Sequence, residues 1–382
     1  MKKIILLTLA ALILIAGGIF YYLSRPDVAR LPDSALEGRE PEFTPARKQI
    51  IPTVVIAKPV GWADGAAPVA TGDLVVQRFA VDLDHPRQML RLPNGDVLIT
   101  ETNSPPREAG GIRDWIMGKL IGLAGAGGPS ANRITLLRDS NGDGVAEQRH
   151  VFLEGLNSPY GMALVGETLY VANTDSLMAF PYKEGQTRIS AEGRKVSNLP
   201  ANAPNSHWTR SLAASPDGKL YVGIGTNSNI AENGLDAEDY RAVVLEIDPR
   251  AGESNIFASG LRNPTDLAWN PWTGKLWAVV NERDMLGSDL VPDFLTDVEF
   301  AATKPGHVVR HAGRTVLFDD GTGRIDILDP AGLADGKPRT DTYTTPEAHH
   351  GVAVALADGS LIVTLGDSES RTGIAVLDAE RR

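Results

Sequence analysis

Apolar positions along this chain follow two regimes. From Ile4 to Leu23 the sequence IILLTLAALILIAGGIFYYL has no charge and is apolar on every side of a helix, closing on Tyr21 and Tyr22. A run of this length predicts a helix able to span a bilayer, with the tyrosines at an interface. Lys2 and Lys3 precede it and no clean small-residue cleavage site follows. The expectation is therefore an uncleaved signal anchor over residues 1–24, with the rest of the chain across the membrane. Residues 25–72 are rich in proline and alanine without a sustained period, and read as a tether and a surface-lying lead-in.

From residue 73 the pattern becomes short apolar strands punctuated by turns. LRLPNGDVLIT (Leu90 to Thr100), ALVGETLYVAN (Ala163 to Asn173), AASPDGKLYVGIG (Ala213 to Gly225), AWNPWTGKLWAVV (Ala268 to Val280), VRHAGRTVLFDD (Val309 to Asp320) and VALADGSLIVTLG (Val354 to Gly366) each place a tight turn between two strands. In most of them Asn-Gly, Asp-Gly or Thr-Gly supplies the positive backbone dihedrals that a two-residue hairpin loop requires. Hairpins of one kind, recurring without a long helix-period segment between them, predict an all-β chain: a six-bladed β-propeller over residues 73–382, carried behind an N-terminal transmembrane anchor. A β-sandwich is the alternative. Ring closure would pair the strand-like run Leu74 to Leu83 with Gly373 to Ala379. The insertion from Asn103 to Arg133 contains DWIMGKLIGLAG, which suits either a short apolar helix or lid over one end of a channel, or a surface loop.

Composition narrows the partners. With 37 Lys and Arg against 48 Asp and Glu, a net charge of −11 and no long basic run, the chain is not a phosphate-tracking nucleic-acid binder. It has no cysteine, which suits an exported, oxidising location. Asp139, Asn141, Asp143 and Glu147 have the spacing of a calcium loop, but its twelfth position is His150 instead of glutamate and strands flank it, so an Asx-rich hairpin turn is the favoured reading.

The segment LPANAPNSHWTRSLAASPDGKLYVGIG, together with GLNSPYGMAL, GLRNPTDLAWNP and RITLLRDSNGDGVAE, resembles the sorbosone dehydrogenase branch of the soluble, pyrroloquinoline-quinone-dependent aldose dehydrogenases, which are six-bladed propellers. The resemblance runs from about Leu74 to Phe300. It implies that His207 is the general base, that Arg262 and Asn263 contact the quinone, and that Gly287 and Asp289 in the acidic loop NERDMLGSDLVPDF best match calcium ligands. Where the family often has glutamine, two residues beyond the asparagine, this chain has Thr265. The residue types suit the chemistry. A neutral histidine can take a hydroxyl proton near neutral pH, and an arginine fork suits the carboxylates of the quinone. The implied substrate is an aldose or a sugar aldehyde such as sorbosone, with a periplasmic cytochrome or a membrane quinone as electron acceptor.

After Phe300 the family's Tyr-Gly-Trp-Pro-like segment is missing, and the last 80 or so residues are similar instead to periplasmic zinc-chaperone propellers. His307, His311, His349 and His350 fall there and could hold zinc if they converge. A non-catalytic zinc- or partner-binding propeller is thus one alternative. A calcium-dependent lactonase using Glu101, Asn173, Asn227 and Glu282 is another.

Overall fold

The computed structural model describes residues 2–25, 27–36, 44–45, 59–61, 63, 66, 68–70, 74, 76–106, 111–125, 128–229, 231–284 and 286–298, and beyond these the backbone of seven strands between residues 308 and 377. The chain divides into two compact units. The first joins Met1–Leu74, Pro106–Gly128 and Asn281–Phe294, and the second joins Val75–Pro105, Pro129–Val280 and Leu295–Arg382. The first unit thus takes in most of the insertion and the acidic loop along with the N-terminal residues.

In the first unit, α1 (Lys2–Leu23) leaves its apolar side chains exposed. It is long and apolar enough to cross a membrane. A one-turn helix, α2 (Asp33–Leu36), follows. The insertion forms α3 (Ile112–Leu123), on which Trp115, Ile116, Met117, Ile121 and Leu123 are exposed.

The second unit holds the strands. β1 (Pro86–Arg91), β2 (Val97–Glu101), β3 (Arg133–Arg138) and β4 (Gln148–Leu153) make one antiparallel sheet. β5 (Met162–Val165), β6 (Thr168–Ala172), β7 (Ser176–Pro181) and β8 (Arg194–Asn198) make the next. β9 (Leu212–Ala214), β10 (Leu220–Ile224), β11 (Val243–Asp248) and β12 (Glu253–Ser259) make a third, and β13 (Pro264–Trp269), β14 (Leu276–Val280) and β15 (Phe294–Val298) a three-stranded fourth. Then come β16 (Val308–His311), β17 (Arg314–Phe318), β18 (Arg324–Asp329) and β19 (Arg339–Thr344), and finally β20 (His350–Ala355), β21 (Leu361–Gly366) and β22 (Thr372–Leu377). Each sheet is a meander of strands consecutive in the chain. The first strands stack in order, β1 beside β5, β5 beside β9 and β9 beside β13, as in a propeller. The arrangement is all-β and propeller-like, but among the described residues four sheets have the four strands of a complete blade, where six were expected.

All six sequence hairpins are present, at β1/β2, β5/β6, β9/β10, β13/β14, β16/β17 and β20/β21. Two-residue loops join only Val165 to Thr168 and His311 to Arg314. The others pair further from the turn, as at Ala214 and Leu220. There Ser215–Gly218 closes a β-turn, Gly218 N–H donating to Ser215 O at 3.0 Å, and Gly218 takes φ 88°, a left-handed value that only glycine adopts at little cost.

The core follows from period two. Along β6, Leu169 and Val171 point into a cluster shared with the first sheet, among Leu98, Ile134, Leu136 and Phe152. Tyr170 and Ala172 point the other way, into a cluster with Leu212, Leu220, Val222 and Val243 of the third. Both faces of the strand are thus buried, which is why its sequence is a continuous apolar run.

The expected closing strand is a correction. The described residues of Leu74–Leu83 form no strand, and among the described residues β22 pairs with β21 alone. The run packs instead on the first sheet's outer side. Ala146 N–H donates to Phe79 O at 2.9 Å, Gln77 Nε2 to Asp143 O at 2.8 Å, and Arg149 Nη1 to Asp82 O at 2.8 Å. Its Phe79 and Asp82 carbonyls thus accept from the Asp139–Arg149 segment, to which Gln77 donates.

Candidate functional site

The loop before β9 and the end of β10 meet at His207. The ring is half-buried, and Nδ1 lies 2.9 Å from Thr226 O and 2.8 Å from Thr226 Oγ1. Thr226 Oγ1 donates its own hydrogen to Ser228 O at 2.6 Å. Both Thr226 oxygens therefore face the ring as acceptors, and Nδ1 carries the hydrogen. The lone pair of the neutral ring is on Nε2, as a general base requires.

Arg262 and Asn263, between β12 and β13, are both 7 % exposed. Arg262 donates from Nε to Asn229 O at 3.1 Å and from Nη2 to Asn229 Oδ1 at 2.6 Å, which fixes the guanidinium plane. Thr226 N–H donates to Arg262 O at 2.8 Å, tying this pair to the His207 side. Gly225 makes the approach possible: a Cβ there would stand 2.5 Å from both Asn263 Oδ1 and His207 Cβ. Asn263 Oδ1 is buried without a hydrogen-bond partner, a costly arrangement unless a donor completes it. Thr265, at the position where the family often has glutamine, donates its hydroxyl to Val279 O at 3.3 Å.

Two residues that sequence reasoning missed hold this loop. Arg210 is fully buried and donates from Nη1 to His207 O and Thr209 O (2.7 and 2.8 Å) and from Nη2 to Pro200 O and Asn205 Oδ1 (2.6 and 2.9 Å). Arg241 shares the same Asn205 Oδ1 at 2.8 Å and also reaches Asn202 Oδ1 at 2.9 Å. Burial, reinforced by the neighbouring Arg241, pushes the Arg210 guanidinium down to about 9. Burial likewise brings Arg241 down to about 10, against the attraction of Glu238. The sequence signal was a charged residue, in HWTRSLAA, at the mouth of an apolar strand.

The remaining expected site residues go elsewhere. Asp289 is 3 % exposed and its Oδ1 accepts the N–H groups of Arg30 (2.7 Å) and Leu31 (3.2 Å). Ser288 N–H donates to Asp27 Oδ2 at 2.7 Å, and Gly287 O accepts Leu290 N–H at 3.5 Å. This loop ties itself to the chain after α1, and one oxygen of the Asp289 carboxylate serves backbone amides.

Among the described residues, one group of carboxylates is close enough to share a cation: Asp139, Asp143 and Glu147. Its oxygens cap the turn, Asp139 accepting Gly142 N–H at 2.6 Å and Gly144 N–H at 2.8 Å, and Asp143 accepting Val145 N–H at 2.9 Å, as the Asx-turn reading expects. His307 and His349 lie outside the described residues. His311 ends β16 and His350 opens β20, on different sheets, and no described residues gather as a zinc site.

The lactonase set is placed as follows. Glu101, fully buried, accepts from Arg133 Nε (2.6 Å), Arg149 Nη2 (3.2 Å), Thr135 Oγ1 and Asp84 N–H (2.6 Å). Asn227 spends Nδ2 on Asn202 O at 2.7 Å, and its N–H on Glu238 at 2.7 Å. Asn173 Nδ2 reaches Ser176 Oγ at 3.5 Å, and Glu282 is exposed in the first unit.

Among solved structures, the chain is similar to the family AA12 carbohydrate-active enzyme of Trichoderma reesei, at 13 % identity over 79 % of this chain and 95 % of that one, with a TM-score of 0.46. It is similar to the PQQ domain of a Coprinopsis cinerea pyranose dehydrogenase at 12 % identity, over 78 % and 93 % of the two chains, with a TM-score of 0.41. A PQQ-bound aldose sugar dehydrogenase of Streptomyces coelicolor matches at 16 % identity, over 81 % and 99 %, with a TM-score of 0.38. In sequence, the TrAA12-like family model runs past Phe300 into β17. Residues 128–317, which hold His207, Thr226, Arg262 and Asn263, match the TrAA12-like family model.

Proposed function

We propose that this chain is a sugar oxidoreductase: a pyrroloquinoline-quinone-dependent dehydrogenase that oxidises an aldose or a sugar aldehyde of the sorbosone kind. One observation carries the reading. A histidine whose Nδ1 is committed to Thr226 stands beside a buried, unpartnered Asn263 carbonyl and a fixed Arg262, all within the TrAA12-like region. That family is one of quinone-dependent sugar dehydrogenases.

The residues fit the cofactor. Arg262 offers a guanidinium to carboxylates, and Asn263 Oδ1 offers an acceptor to a ring N–H. When bound, the quinone supplies the hydride acceptor. His207 Nε2 takes the proton of the substrate hydroxyl, and Arg210 holds the loop that carries His207 by binding its backbone carbonyl. Gly287 and Asp289 are the residues that would hold calcium, with Asp289 Oδ1 also accepting the N–H groups of Arg30 and Leu31.

We further propose that α1 anchors the chain on the extracytoplasmic face of a membrane, where a cytochrome or membrane quinone takes the electrons. The test is dye reduction by purified protein supplied with the quinone and calcium, with sugars and sugar aldehydes as substrates. His207→Ala should lower kcat by about a hundredfold to ten-thousandfold while quinone binding persists. Turnover like that of the wild type in His207→Ala would refute the mechanism. Zinc binding or lactone hydrolysis without dye reduction would refute the function.

A further inference from the structure

We propose that Thr226 is the positioning residue that selects which nitrogen of His207 acts as the base; this rests on the dehydrogenase reading above. Thr226 ends the β10 hairpin arm two residues past Ile224, and three of its atoms are committed in three directions. Its hydroxyl hydrogen goes to Ser228 O at 2.6 Å, which turns the Oγ1 lone pairs toward His207 Nδ1 at 2.8 Å. Its carbonyl, 2.9 Å from the same nitrogen, can only accept. Its N–H is bound to Arg262 O at 2.8 Å.

The residue therefore reads the base on one side and the quinone-contacting pair on the other, and sets the distance between them. Arg210, which holds His207 O at 2.7 Å, fixes the backbone of the histidine but leaves its ring torsion open. The ring orientation falls to Thr226. A histidine turned over, or protonated on Nε2, would present no lone pair to a substrate hydroxyl, so the tautomer set by Thr226 decides whether the base is competent.

The test uses the full-length protein with 15N-labelled histidine and a long-range 1H–15N correlation in the pH range where the ring is neutral. The His207 signals are identified by their loss in His207→Gln. The wild type should show hydrogen on Nδ1, and finding it on Nε2 overturns the proposal without any Thr226 variant. Thr226→Val keeps the shape and the carbonyl but removes Oγ1. It should raise the Nε2–H fraction roughly two- to tenfold, the weight of one neutral hydrogen bond. kcat should fall in proportion to the Nδ1–H fraction lost, with KM unchanged, and Thr226→Ser should restore both. A valine variant with the wild-type tautomer and kcat overturns the role. The spectroscopic arm needs no cofactor. A wild type without dye reduction would therefore overturn the dehydrogenase reading while the tautomer still decides the part played by Thr226.

Discussion

Glu101→Gln offers the sharpest test of the energetics. Burial alone would raise the Glu101 carboxyl; the hydrogen bonds from Arg133, Thr135 and the Asp84 amide overcome it and bring it from the ordinary 4.5 down to about 2. A depression of that size corresponds to roughly 3 kcal/mol favouring the fold. Because the folded value lies below the unfolded one, this contribution is complete above about pH 4.5 and is lost as the pH falls toward 2. Glutamine keeps the shape but not the charge, and leaves Arg133 and Arg149 facing a neutral amide. Both arginines are about a third exposed and can turn to water, which places the cost at the lower end of the range for breaking a buried pair, about 3 kcal/mol. For a unit of this size that is a loss of about 6 °C in Tm at pH 7. Calorimetric melts of both proteins from pH 7 to pH 2.5 should converge as the pH falls, since the wild type alone loses this ion pair. Equal Tm values at pH 7, or a constant gap across the range, would refute the reasoning.

Arg262→Ala should weaken quinone binding by about ten- to a hundredfold in titration calorimetry, as expected for one charge-assisted contact; unaltered affinity would remove Arg262 from the pocket. Gly225→Ala should cost about 1 to 3 kcal/mol and disturb both neighbours, since its methyl would meet Asn263 Oδ1 and His207 Cβ at 2.5 Å. Wild-type stability and turnover in that variant would show that the approach is looser than described. The full chain should fractionate with membranes through α1, and recovery in a soluble fraction with a new N-terminus near Ser24 would show cleavage instead.

The hairpins were legible in the sequence because each needs a turn residue in place and a strand on either side, both of which are local. His207, Arg262 and Asn263 were reached through resemblance, and the structure brings them together around Gly225. What stayed hidden was long-range. Nothing local distinguishes Glu101, which is answered by Arg133 and Arg149, from a residue free to hold a ligand. Likewise, LVVQRFAVDL has the composition of a strand, but its described residues form none and bond instead to the loop at Asp143–Ala146 and the side chain of Arg149. Arg210 and Arg241 were missed because arginine is seldom fully buried, and the carbonyls that hold Arg210 come from a loop without regular structure.

The division of β6 between two cores bears on how the protein comes apart. Leu169 belongs to one cluster and Tyr170, the next residue, to another, so the strand is a party wall between two rooms. A wall of that kind cannot be taken down from one side. Repeat proteins that stack end to end can fray from a terminus one unit at a time, whereas here the loss of either neighbouring sheet would leave half of β6 facing water. The first three sheets should therefore melt as a single cooperative block, and a chain opened at its edges would keep the histidine loop in place until the whole block gave way.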